Sequence, residues 1–81
     1  MLIHPGETIK EMLEDRKFTQ KHLAKMCDVS EKHISKIVNG KANISPKIAV
    51  GLERAFGANA SFWVNLDANY RLEEYKSNPI K

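Results

Sequence analysis

The side chains best equipped for specific chemistry lie between Gln20 and Lys41. Glu31, Lys32, His33, Ser35 and Lys36 follow Ser30 and are interleaved with Ile34, Ile37 and Val38. The three apolar residues fall on one stripe of a helix, which leaves the polar ones on its flanks and outer face. Such a face is within reach of a DNA major groove. Lys32 and Lys36 can donate to guanine O6 and N7, and Glu31 can accept from cytosine N4. Other chemistry is poorly provided for. His4, His22, His33 and Cys27 occur without a C-x-x-C, H-x-x-x-H or H-E-x-x-H spacing, and His22 and Cys27 diverge on a helix, so no metal site is expected. No G-x-S-x-G, glycine-rich phosphate loop or paired carboxylate set is present. Neither an enzyme nor a cofactor is expected.

Holding that face in place requires short helices, and the sequence punctuates them. Ile9, Met12 and Leu13 recur at helical spacing and predict a first helix over about 7–17, with Glu7 at its start and Arg16 and Lys17 at its end complementing the dipole. Phe18 is then free to enter the core. Thr19 caps a second helix from Gln20 to about Met26, with Leu23, Ala24 and Cys27 inward. Ala24 is small enough for a close helix crossing. Asp28 and Val29 form a tight turn, Ser30 caps a third helix running to Asn39, and Gly40 supplies a left-handed exit. Two short helices joined this way have the spacing of a helix-turn-helix over 19–39.

Ser45 and Pro46 open a fourth helix, about 46–56, with Ile48, Ala49, Leu52 and Phe56 inward and Gly57 at its end. Gly51 in its middle costs roughly 1 kcal/mol relative to alanine, which fits either a close backbone approach or an exposed, tolerant site. Asn59 is placed to cap a fifth helix, about 60–75. Its Phe62, Leu66 and Tyr70 share a stripe, and Trp63 and Val64 lie to one side. Residues 77–81 read as a frayed tail.

With 81 residues the chain is expected to form a single domain, 1–81. Six aromatics and seven glycines and prolines are few for a protein of many turns and short strands, which points to an all-α class and a compact five-helix bundle. One cysteine, with neither a leader nor an uninterrupted apolar stretch, argues against a disulfide-stapled secreted domain or a membrane span and for a reducing, cytoplasmic setting. The net charge of +3 is unevenly spread. Residues 19–43 carry five basic and two acidic groups, whereas the flanking segments nearly cancel. A localised basic block is the footprint of a polyanion-binding face.

The run TQKHLAKMCDVSEKHISKIVNGKAN at 19–43 resembles the helix-turn-helix of the Xre/Cro repressor family, found also in lambdoid phage repressors. HPGE at 4–7, NGKANISP at 39–46 and FGANASFWVNLDANYRL at 56–72 extend the likeness to HigA-type antitoxins of toxin–antitoxin modules, over about residues 4–75. The resemblance implies a lambda-repressor-like bundle. It implies base contacts from Glu31, Lys32, His33 and Lys36, and phosphate contacts from Gln20, Ser30, Ser35, Asn39 and Lys41. Two residues depart from the pattern: Glu31 stands where glutamine is common, and Asp28 replaces the usual turn glycine.

A single module of this size touches one half-site and rarely reaches about 10⁻⁸–10⁻¹¹ M unaided, so a homodimer on a palindrome-like operator is expected. The fifth helix, through Trp63, Leu66 and Tyr70, is the candidate dimer interface. Neutralisation of a ribonuclease-type toxin and autoregulation of a shared operon are implied by the resemblance alone. The alternatives are an interaction module without DNA binding, a solitary phage-type repressor, or the amino-terminal domain of a longer protein.

Overall fold

Capping chemistry sets the helix boundaries. In the computed structural model, described over residues 4–77, the order is α1 (Pro5–Arg16), α2 (Gln20–Cys27), α3 (Glu31–Val38), α4 (Pro46–Phe56) and α5 (Ala60–Ser77), with no strand among the described residues. The hydroxyls of Thr19, Ser30 and Ser45 accept from the amides of His22, His33 and Ile48 at 3.0, 3.1 and 3.3 Å. Each thereby helps to satisfy a first-turn amide.

Two helix starts differ from expectation. α1 begins two residues early because His4 caps it: Nδ1 accepts from the Gly6 amide at 2.9 Å, and Pro5 occupies the first turn, where a missing N–H costs nothing. At α5, the Asn59 carbonyl accepts the first helical bonds, from Phe62 and Trp63. The side-chain cap comes from Glu53, whose Oε1 accepts from the Ala60 amide at 2.8 Å.

The helix-turn-helix closes as its sequence implies. Asp28 takes the left-handed conformation at φ 58°, ψ 46°, and its amide bonds back to the end of α2. An aspartate can hold this conformation in place of glycine. Lys17, after α1, is also left-handed at φ 59°, with nothing in its residue type to announce it.

The core is assembled on α2 and α4. Leu23, Ala49 and Leu52 are fully buried, with Ile9, Ile34 and Ile48 packed around them. Gly51 is buried as well: a Cβ there would collide with the Sγ and backbone of Cys27. Close approach, and not tolerance at an exposed site, accounts for this glycine. Phe18 is half-buried and stacks against Phe56 at 6.2 Å.

The largest correction concerns α5. Trp63, expected at a dimer interface, is 0% exposed and packs at 6.1 Å from Phe56 inside the monomer. A side chain without accessible surface has none left to offer a partner. Phe62, expected to share a stripe with Leu66 and Tyr70, is 47% exposed and lies edge-on against Trp63. The helix is rotated so that Trp63 and Asp67, four residues apart, face inward. Indole is the bulkier group and fills more of the core, so the rotation that buries it removes more apolar area from water. The expected frayed tail at 77–81 lies, beyond Ser77, outside the described residues, and α5 itself continues through Ser77. No described helix is long and apolar enough to cross a membrane.

Candidate nucleic-acid interface

α3 buries Ile34, Ile37 and Val38 and turns Glu31, Lys32 and Lys36 to solvent, with His33 and Ser35 half-buried at the flanks. The buried stripe fixes the rotation of the helix, and the remaining side chains project from it. Glu31 in the first turn also complements the positive end of the helix dipole, a favourable role independent of any ligand.

The phosphate candidates fall at the two ends of this helix and at the start of α2. Ser30 is exposed, and its oxygen accepts from His33, which leaves the hydroxyl proton available to donate outward. Gln20 is the first residue of α2, half-buried beside Thr19, where first-turn amides lack intrahelical acceptors.

At the far end, Asn39 Nδ2 donates to Ser35 Oγ at 3.4 Å and the Asn39 amide donates to the Ser35 carbonyl at 3.0 Å, so these two candidates are brought together. The Lys41 amide donates to the Lys36 carbonyl at 2.7 Å, folding the chain back beneath α3. Gly40 permits this reversal at φ 79°, and its missing side chain leaves room for the His4 ring. Lys36, Asn39 and Lys41 thus lie at one end of α3.

The loop that follows is anchored from several sides. Ile44 is buried, and the Ala42 carbonyl accepts from Arg71 Nη2 at 3.2 Å. Arg71 and Asp67 were not singled out in the sequence; their i,i+4 spacing on a helix was the available signal. Lys47 approaches Asp28 at 3.8 Å on the surface, and with both groups exposed the pair is worth about 0–1 kcal/mol.

Cys27 is a core residue. Its Sγ donates to the Ile48 carbonyl at 3.7 Å, and burial pushes its thiol up to about 11. Of the interface candidates on α5, Leu66 and Tyr70 are half-buried. The Tyr70 ring meets His4 edge-on at 4.9 Å and carries the Arg71 guanidinium 5.5 Å from its centroid.

An exposed polar helix held by a capped, close-crossing partner is the arrangement of a helix-turn-helix, the module of DNA-binding regulators of transcription. The chain belongs to the helix-turn-helix family, Xre-like in kind, which matches residues 9–63. It is 40% identical to virulence-associated protein A of Dichelobacter nodosus, across 96% of this chain and 84% of that protein. Among solved structures it is similar to Pseudomonas aeruginosa PA4674 in complex with its operator DNA, with 34% identity, a TM-score of 0.83, and coverage of 98% of this chain and 87% of that one. It is also similar to the Pseudomonas aeruginosa antitoxin HigA with the higBA promoter, at 35% identity and a TM-score of 0.83, covering 96% and 87%. These solved likenesses agree with the HigA-type resemblance of the sequence.

Proposed function

We propose that this chain is a sequence-specific repressor that binds a palindrome-like operator as a homodimer. It acts in the cytoplasm as the antitoxin of a toxin–antitoxin module and autoregulates the shared operon. The supporting observation is the outward face of α3. Lys32 and Lys36 project from a helix whose other side is locked into the core, and chains of similar fold were solved with operator or promoter DNA. Lys36, Lys32, His33 and Glu31 read base edges, and Gln20, Ser30, Ser35, Asn39 and Lys41 hold the backbone.

With Trp63 inside the monomer, the dimer contact on α5 falls to the half-buried Leu66 and Tyr70, together with exposed apolar neighbours such as Phe62. The antitoxin role follows from the likeness to HigA, and its toxin is of the ribonuclease type.

Gel retardation of the DNA upstream of its own reading frame tests the DNA reading. A specific shift that weakens steeply as salt rises from about 50 to 200 mM is expected. Absence of any shift at the lower salt would sink it and leave a toxin-neutralising module without DNA binding. Co-purification with the product of the adjacent reading frame tests the antitoxin role, and failure to suppress that product's toxicity would reject it.

A further inference from the structure

We propose that Arg71 is a positioning residue for DNA binding, fixing from α5 the loop that presents Lys41. This rests on the reading that Lys41 contacts phosphate.

The loop between Gly40 and Ser45 lies outside any helix, so its backbone geometry depends on a few anchors. Two come from the helix-turn-helix and its loop: the Lys41 amide on the Lys36 carbonyl at 2.7 Å, and the buried Ile44 side chain. The third comes from 29 residues further along the chain, where Arg71 Nη2 donates at 3.2 Å to the carbonyl of Ala42, the residue next to Lys41. The Ala42 carbonyl belongs to the peptide that follows Ala42, so the bond from Arg71 fixes the chain immediately after Lys41 and thereby limits the paths open to the segment that carries it.

Arg71 is itself held from several sides. Its Nε lies 3.5 Å from Oδ1 of Asp67, an ionic contact without hydrogen-bond geometry, and Asp67 is only 7% exposed. A buried carboxylate needs a cation close by, so the acid keeps the arginine in place. Glu74 approaches Nη1 at 3.8 Å, and the Tyr70 ring lies beneath the guanidinium. A planar fork can meet Asp67, Glu74 and the Ala42 carbonyl together; a single ammonium cannot reproduce that set. Tyr70 also packs against His4, whose ring fills the space beside Gly40 at the start of the loop. One short stretch of α5 therefore bears on this loop at two points, directly at Ala42 and through His4 at Gly40.

The test is a double-mutant cycle on affinity for the duplex upstream of the reading frame, measured by fluorescence anisotropy across salt, with urea unfolding in parallel. Lys41→Ala should lower the slope of log affinity against log salt by about 1. Arg71→Ala should weaken binding several-fold with a similar loss of slope and unchanged preference among operator variants. The effect should largely vanish in the Lys41→Ala background. Asp67→Asn with Arg71→Ala removes the unpaired buried acid and should regain stability without regaining the slope. Arg71→Lys keeps a cation beside Asp67 and should fold as wild type with the slope still reduced. An additive cycle, or wild-type affinity and slope for Arg71→Lys, would overturn the proposal while leaving Lys41 as a phosphate contact. No change of slope in Lys41→Ala would overturn that reading and the proposal together.

Discussion

Gly51 of α4 lies directly against Cys27 of α2, with no room for even a methyl group between them. Helix propensity alone favours Gly51→Ala by about 0.5–1 kcal/mol. Here the added Cβ meets backbone as well as sulfur, so α2 and α4 must move apart and disturb α2, against which α3 packs. Gly51→Ala should destabilise the fold by about 2 kcal/mol, read as a lower urea midpoint with an unchanged m-value. A stabilised variant would mean that the two helices separate freely.

The same crossing makes the thiol unreactive. The ordinary cysteine value of 9.0 is raised to about 11 in the folded protein by desolvation. Folding therefore favours the neutral thiol. The corresponding stability is fully present below pH 9.0 and is lost as pH rises through about 11. Native protein at pH 8 should react with a thiol reagent far more slowly than urea-unfolded protein. Its stability should also fall between pH 9 and 11 more steeply than that of Cys27→Ala. Equal reaction rates in native and unfolded protein would contradict the buried placement.

Lys36 and Lys41 are five residues apart and joined by a backbone hydrogen bond, yet are assigned different tasks. Lys36→Ala should cost about 1–3 kcal/mol on the best operator sequence and relax preference at one base position. Lys41→Ala should weaken binding evenly on every sequence. Comparing the two on a panel of single-base operator variants checks the division, and identical profiles for wild type and Lys36→Ala would remove Lys36 from base recognition.

Glu53 supplies the cap of α5 through its 2.8 Å bond from the Ala60 amide. Glu53→Ala should cost about 1 kcal/mol, and Glu53→Gln should retain part of it because the carbonyl can still accept. Faster amide exchange confined to the first turn of α5 is the local signature. Equal exchange in wild type and Glu53→Ala would show that the Asn59 backbone suffices to start the helix.

α3 and its polar face were legible because their signals are local. Thr19, Ser30 and Ser45 cap the residues three positions on, and the Ile34, Ile37 and Val38 stripe defines which side of α3 is hidden. Those relationships are fixed by the geometry of one helical turn. Gly51 was ambiguous because its role depends on a residue 24 positions earlier in the chain, and the His4 cap was missed because histidine is an unusual choice there.

The sequence by itself determined the five helices, the turn at Asp28 and the polar face of α3, since propensity, capping and a clean amphipathic stripe agree there. Tertiary structure decided the rotation of α5. Its aromatic and aliphatic residues lie on more than one face, so periodicity permits several orientations, and docking against α4 selects the one that seals Trp63 inside and leaves Phe62 outside. That rotation also brings Asp67 inward and Arg71 to the Ala42 carbonyl, a partnership between distant segments that no local pattern encodes.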